Sequence, residues 1–296
     1  MTRTTVAFVG LGAMGLPMAQ NLVKAGLEVV GVDLRPERAQ ALVSSGGRAA
    51  GSPADAATEA QVAIVIPFDG DQLRQALLGS SGVLERLPSG GLVIGMATAG
   101  PRAAREIAEA VTAQGQAYVD APVTGGVYGA EAGQLTIMAS GPDSALDRAM
   151  PVLEPMAAKV YRVGSQPGDA QFVKLLNQLL VGVHLVAATE AMALAATRGV
   201  DPEVVYKVLC DGFGRSEVFA TRVRQALDGN LATGGTLRIF QKDLRLGLQA
   251  ADEAGVPVYA LATAFQTVQL AEALAPELED AGLIARAMEL ASRRRG

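Results

Sequence analysis

The chain has no tryptophan, one cysteine and one histidine in 296 residues, and aromatic residues make up only 4% of it. A lone cysteine, Cys210, excludes an intrachain disulfide and argues against a thiolate metal site, so no metal is expected. The lone histidine, His184, lies in Leu179-Leu180-Val181-Gly182-Val183-His184-Leu185-Val186 and reads as a core or interface position on an apolar helix, without the partners of a catalytic or metal-binding histidine. Lysine is scarce too, with 5 lysines against 20 arginines. With few aromatic residues, a hydrophobic content of 50% means an aliphatic interior. A net charge of −5 gives no electrostatic reason to expect nucleic acid as a partner. The most apolar stretch is interrupted by Lys174, Asn177, Gln178, His184 and Glu190, so no membrane association is expected either.

Glycine, by contrast, is plentiful. The run Val6-Ala7-Phe8-Val9-Gly10-Leu11-Gly12-Ala13-Met14-Gly15 passes from an apolar strand into Gly-x-Gly-x-x-Gly and then into helix-forming sequence. In a dinucleotide cradle Gly10 permits the tight turn, Gly12 lets the backbone approach a pyrophosphate and Gly15 lets the helix pack on the sheet. The helix start offers N–H groups and a positive dipole end to the phosphates. A second strand, Glu28 to Val32, ends at Asp33, close to the spacing of a ribose-binding acid. Asp33 favours NAD, because a carboxylate repels a 2′-phosphate. Arg35 leaves NADP open: its guanidinium can pair with such a phosphate, stack on adenine or neutralise Asp33. The motif starts at residue 6, leaving no room ahead of it for a signal peptide, which reads as cytoplasmic.

Strand and helix patterns alternate through the first half. Strands are expected at Thr5 to Val9, Glu28 to Val32, Val62 to Ile66, Leu92 to Gly95, Gln116 to Val119, Leu135 to Ala139 and Lys159 to Val163, several almost continuously apolar. Helices are expected between them, including Pro36 to Ser44, Asp71 to Leu78, Arg102 to Gln114 and Asp143 to Met156. The fold class is α/β, a doubly wound Rossmann-type sheet followed by an all-α C-terminal domain. The boundary is set near Gly164, giving a dinucleotide-binding domain over 1–164 and a helical substrate and oligomerisation domain over 165–296. A long helix, about Ala170 to Arg198, is apolar nearly all round and must be covered by its own domain or by a second subunit, so a homodimer or homotetramer is expected.

Two constellations can carry chemistry. Lys174 sits among Phe172, Val173, Leu175 and Leu176, surroundings that favour a neutral amine able to exchange protons, and Asn177 and Gln178 share its helix face. A snorkelling lysine with polar neighbours fits the same residues. Asp120-Ala121-Pro122-Val123-Thr124-Gly125-Gly126 follows a strand, where Thr124 and the N–H groups of Gly125 and Gly126 make either a nest for a carboxylate or a flexible turn. Lys242, in Phe240-Gln241-Lys242-Asp243-Leu244, reads by itself as an exposed helix face.

Together these pieces resemble the beta-hydroxyacid dehydrogenase family, over essentially the whole chain. The resemblance rests on Phe8 to Ala19 with Asn21-Leu22, on Asp120 to Gly126 with Gly129-Ala130, on Gly168 with Lys174 to Gln178, and on Lys242-Asp243-Leu244. It implies that Lys174 is the catalytic lysine, that Thr124, Gly125 and Gly126 hold the substrate carboxylate, and that Asn177 and Gln178 orient the substrate. It further implies that Lys242 lies near the nicotinamide and that Thr98, Ile66 and Pro67 face the cofactor, beside Gly10, Leu11, Gly12, Ala13, Met14, Gly15, Asp33 and Arg35. The chain departs from the family pattern at Gly95 and Ala97, where aspartate and serine are usual, and at Thr124, where serine is commoner. Asn177-Gln178 is more like the tartronate semialdehyde and threonate branch than the hydroxyisobutyrate one. The expected reaction is hydride transfer between NAD(H), or NADP(H), and a small 3-hydroxy acid. The alternatives are an NADPH-dependent glyoxylate or succinic semialdehyde reductase, an imine reductase, and a non-catalytic dinucleotide-binding scaffold.

Overall fold

Alternate side chains of each central strand enter two different apolar layers, which is why these strands read as unbroken hydrophobic runs. In β1 (Thr5–Val9), Val6 and Phe8 join one layer with Met18, Leu22, Ile64, Ile94 and Val119, while Ala7 and Val9 join the other with Val65, Leu73, Leu77, Val93 and Ile107. In this computed structural model residues 4–293 are described. The remaining strands are β2 (Glu28–Val32), β3 (Arg48–Ala49), β4 (Val62–Val65), β5 (Leu92–Gly95), β6 (Ala117–Asp120), β7 (Val123–Thr124), β8 (Leu135–Ser140) and β9 (Ala157–Gly164). They form one sheet in the order β3-β2-β1-β4-β5-β6-β8-β7, with β9 on β8. Strands β3 to β6 in this order run parallel, and β8 runs antiparallel to β6 and β7. A doubly wound, largely parallel sheet is therefore observed, with β3 and β7 added as two-residue strands too short to leave a periodic signal.

The helices of this half are α1 (Gly15–Lys24), α2 (Pro36–Val43), α3 (Pro53–Ala57), α4 (Gly70–Leu78), α5 (Pro101–Thr112), α6 (Gly126–Ala132) and α7 (Asp143–Leu153). Proline stands in the first turn of α2, α3 and α5, where its missing N–H costs nothing. The helix expected over Asp143 to Met156 ends at Leu153 and tightens into a 3-10 turn over Glu154–Met156 containing Pro155.

From α8 (Asp169–Arg198) onward the chain is helical: α9 (Pro202–Asp211), α10 (Arg224–Leu227) after a π-type turn at Phe219–Val223, α11 (Leu237–Glu253), α12 (Tyr259–Leu274) and α13 (Asp280–Ser292). Leu185, Met192, Phe219, Phe240, Leu244, Phe265, Val268 and Ile284 form its core. The compact units divide inside α8, as 1–174 and 175–296. At about 45 Å, by a rise of 1.5 Å per residue, α8 is long and apolar enough by length and composition to cross a bilayer. It buries Leu185, Val186, Ala188, Thr189 and Met192, while Leu176, Leu180 and Leu194 remain exposed.

The departure at Gly95 has a steric cause. Gly95 pairs with Asp120 across β5 and β6, and a Cβ built on it would lie 2.2 Å from the hydroxyl of Tyr118, whose fully buried oxygen has no hydrogen-bond partner among the described residues. We predict that Gly95→Ala destabilises the protein by about 1–3 kcal/mol, the scale of an overpacked core. Tyr118→Phe, which deletes the unpaired hydroxyl, is expected to be neutral or mildly stabilising and to rescue Gly95→Ala. Urea unfolding of the two single variants and the double variant checks this, and simple additivity would contradict it.

Candidate active site

The register of the parallel strands brings the candidate residues that follow them to one edge. Val9 is level with Val32 and with Val65, Val65 with Gly95, and Gly95 with Asp120, so five strands end in one row. Immediately beyond that row come Gly10 after β1, Asp33 after β2, Ile66 and Pro67 after β4, Thr98 shortly after β5, and the 121–126 segment after β6. Ligands of open parallel sheets bind at such an edge, where β1 lies between the oppositely wound halves.

The glycine turn has the form a dinucleotide needs. Gly10 has φ +97°, and a Cβ there would come within 2.6 Å of the Ile66 carbonyl oxygen. A Cβ on Gly15 would strike the Gly10 carbonyl oxygen at 1.9 Å, so α1 packs on the turn only through glycine. A Cβ on Gly12 would meet nothing within 4 Å, leaving open space over the backbone. No side chain caps α1, and its Leu16 N–H donates to the Gly12 carbonyl at 3.1 Å, so the helix starts directly on the glycine turn. Ala13 is exposed and Met14 half-buried on this turn. Asp33 is fixed by the Leu11 N–H, which donates to Oδ2 at 2.7 Å, and by the Arg35 N–H, which donates to Oδ1 at 2.9 Å. The Arg35 guanidinium is half exposed, its Nε 3.7 Å from Asp33 Oδ1, and so partly neutralises the acid. These residues fit an adenine dinucleotide.

Lys174 lies in the second turn of α8 and is buried, only 7% exposed. The turn before it is fastened by Asp120, already noted at the start of its segment, and by Ser140 and Gln171, which the sequence analysis does not single out. The Asp120 carboxylate, at the end of β6, accepts from the N–H groups of Gly168 and Gln171, each at 3.2 Å, and from Gln171 Nε2 at 2.7 Å. Ser140, paired with Asp120 across β6 and β8, accepts from the Ala170 N–H at 3.0 Å. The rest of the Gln171 amide encloses the segment around Thr98: Oε1 accepts from Ala99 and Gly100 N–H at 2.8 and 3.1 Å, and Nε2 donates to the Ala97 carbonyl at 2.9 Å. A polar period of Gln171, Lys174 and Gln178 in an otherwise apolar helix was the available signal, since these positions share a face.

Thr124 is half-buried in β7 and Gly125 and Gly126 are exposed at the start of α6, both with positive φ, +127° and +63°. The segment is thus a strand end and a helix start, which places their N–H groups in a defined turn. In the 175–296 unit, Asn177 donates to Gln178 Oε1 at 3.0 Å, and Gln178 donates to Asp243 Oδ2 at 2.6 Å. Lys242 Nζ is 2.7 Å from Asp243 Oδ1. Expected on an exposed helix face, Lys242 instead has a side chain only 17% exposed, because α11 turns this edge inward with Asp243. Gln178 and Lys242, assigned to different ligands by resemblance, are joined through one buried carboxylate.

Comparison with known proteins gives the family. Residues 5–164 match the family model described as the NAD binding domain of 6-phosphogluconate dehydrogenase, and residues 168–288 match that described as the NAD-binding region of NADP-dependent 3-hydroxyisobutyrate dehydrogenase. The L-threonate dehydrogenase of Cupriavidus necator is 39% identical over 90% of this chain and 90% of its own. The chain belongs to the beta-hydroxyacid dehydrogenase family. A 3-hydroxyisobutyrate dehydrogenase of Pseudomonas aeruginosa is 37% identical over 88% of this chain and 90% of its own. The crystal structure of a 3-hydroxyisobutyrate dehydrogenase from Salmonella typhimurium superposes with a TM-score of 0.89 at 36% identity, covering 95% of this chain and 99% of that one. The protein is accordingly an NAD(P)-dependent hydroxyacid dehydrogenase.

Burial is the largest influence on Asp120 and pushes its carboxyl up to about 7, with the nearby Asp169 charge adding to the rise. The hydrogen bonds from Gln171 and Gly168 act in the opposite sense. Between about pH 4 and pH 7 the folded protein therefore holds a proton that the unfolded chain has released, and this group's contribution to stability falls as pH rises through that window. Thermal unfolding should show the Tm of the unaltered protein falling relative to that of Asp120→Asn between about pH 4 and pH 7. Parallel pH dependences in the two proteins would contradict this.

Proposed function

We propose that the protein oxidises a small 3-hydroxy acid to its 3-oxo acid or semialdehyde, reversibly, with Lys174 as general acid and base. The observation that carries this reading is the placement of a buried lysine one turn beyond Gln171, whose amide grips the Thr98 segment at the carboxyl edge of the sheet. A bound nicotinamide supplies the chemistry of taking or returning a hydride at the carbinol carbon. Lys174 Nζ takes the hydroxyl proton during oxidation, returns it during reduction, and stabilises negative charge developing on that oxygen. Burial strengthens this interaction, since water does not screen it.

The Thr124 hydroxyl with the Gly125 and Gly126 N–H groups holds the acid end, and Asn177 and Gln178 orient the substrate's hydroxyl or carboxylate. Gly10, Leu11, Gly12, Ala13, Met14 and Gly15 cradle the dinucleotide, with Ile66, Pro67 and Thr98 along its length and Lys242 toward its nicotinamide end. The named relatives support four-carbon substrates of the threonate or 3-hydroxyisobutyrate kind. Asp33 supports NAD over NADP: its carboxylate is held in place by two backbone N–H groups, and a 2′-phosphate there would meet a fixed negative charge. The division of labour is that of two domains, 1–164 for the dinucleotide and 165–296 for substrate and self-association. Exposed Leu176, Leu180 and Leu194 on α8, Val204 and Val208 on α9, and Leu270 and Leu274 on α12 support a homodimer or homotetramer, in the cytoplasm.

Lys174→Ala should lower kcat by about a hundredfold or more, the scale of general acid and base catalysis, while NADH binding followed by fluorescence stays nearly intact. Retention of near-normal kcat would remove the assignment. In a panel of threonate, 3-hydroxyisobutyrate, glycerate, serine and 3-hydroxypropionate, each with NAD and NADP, at least one acid should turn over with a clear preference for NAD. Asp33→Ala should erode that preference, and an unaltered protein that prefers NADP would overturn the role given to Asp33.

A further inference from the structure

The first turn of α8 is held by an unusual anchor. Asp120 belongs to β6, yet both its oxygens are turned to the α8 start: Oδ2 receives the N–H groups of Gly168 and Gln171, and Oδ1 receives Gln171 Nε2. A carboxylate at a helix N-terminus is favoured by the uncompensated N–H groups and by the dipole, here reinforced by the Ser140 hydroxyl on the Ala170 N–H. The Gln171 amide has no hydrogen-bonding capacity left, with two bonds at Oε1 and two at Nε2. It cannot turn over, because exchanging its ends would set its N–H2 against the Ala99 and Gly100 N–H groups and its oxygen against the Ala97 carbonyl. Asp120, Gln171 and residues 97–100 therefore have a single mutually satisfied arrangement.

That arrangement spans three segments assigned to the reaction. Asp120 directly precedes the 121–126 segment, Gln171 encloses Thr98, and Lys174 follows Gln171 by three residues on the same helix face. We infer that the Asp120 carboxylate and the Gln171 amide form a positioning joint that sets where Lys174 lies relative to the Thr98 and Thr124 segments, without either residue touching substrate. The inference rests on Lys174 being the proton carrier. A displacement of about 1 Å in a proton-transferring group is enough to cost a hundredfold in rate.

The joint can be broken with little change of shape. Assayed at about pH 8.5, where the Asp120 carboxyl has lost its proton, Asp120→Asn keeps the volume but must turn an N–H2 toward a donor, since all three partners of Asp120 are donors and Gln171 cannot reverse. The experiment is a cycle of Asp120→Asn, Lys174→Ala and the double variant, with kcat, KM for the best acid of the panel, and NADH affinity measured for each. Asp120→Asn should lower kcat by about tenfold or more while KM and NADH affinity change by less than about threefold. In the Lys174→Ala background the same change should lower the residual rate by less than about twofold, because a group that acts by placing the lysine has nothing left to place. Should Asp120→Asn fail to bind NADH, Gln171→Met takes its place under the same criteria. Losses that multiply in the double variant, or a single variant with kcat within about twofold of the unaltered protein, would overturn the joint. A Lys174→Ala protein with near-normal kcat would instead fell the lysine assignment itself, a result read without reference to Asp120.

Discussion

Hydrogen-bond register in the parallel sheet is the constraint on which everything else depends. Parallel strands exchange evenly spaced bonds, so once Val9 is level with Val32 and Val65 the strand ends cannot slide independently. A slip of one residue would turn Val6 and Phe8 into the layer that Ala7 and Val9 occupy, and each layer is filled to suit its own set. The apolar interior thus determines the height at which Gly10, Asp33, Ile66, Thr98 and Asp120 leave the sheet. The site's coherence is a by-product of packing two aliphatic layers.

Within each unit a second principle operates, the requirement that buried polar groups find partners. Gln171, Lys174, Gln178, Asp120 and Asp243 are all buried, in a chain whose interior is largely aliphatic. Each uncompensated group of this kind costs on the order of 1–3 kcal/mol, so such groups survive in networks with complementary partners. Asp120 gathers three donors, Gln171 satisfies four partners, and Asp243 bridges Gln178 and Lys242. Directional bonds of this kind restrict segments that apolar contacts alone would allow to shift. Conversely, Gly95 and the unpaired Tyr118 hydroxyl show a place where close packing prevailed over polar pairing.

Much of this was legible in the order of residues, for identifiable reasons. Strands covered on both faces leave continuous apolar runs, and the glycine turn leaves a fixed spacing, so the Rossmann-type sheet and its cradle were readable from Val6 to Asp33. The strands β3 and β7 were not, because two residues carry no period. Lys174 stood out because a scarce lysine flanked by apolar residues is visible in one dimension. Asp120 was visible as the start of the 120–126 segment, but its pairing with Gln171 was not: the two are 51 positions apart, and Gln171 resembles an ordinary helix residue until its partner is known. Lys242 beside Asp243 gave the wrong impression, since an adjacent ion pair looks solvated unless the orientation of the helix is given.

The order of amino acids by itself determined the alternation of elements, the dinucleotide turn, the family and the scarcity of groups able to move a proton, because these depend on composition and local spacing. Only the tertiary structure decided which buried carboxylate fastens which helix, why position 95 is glycine, and that Gln178 and Lys242 share Asp243. Those outcomes depend on distances between residues far apart along the chain. Such distances are established by the sheet register and by the pairing of buried polar groups, and neither is written in any single segment.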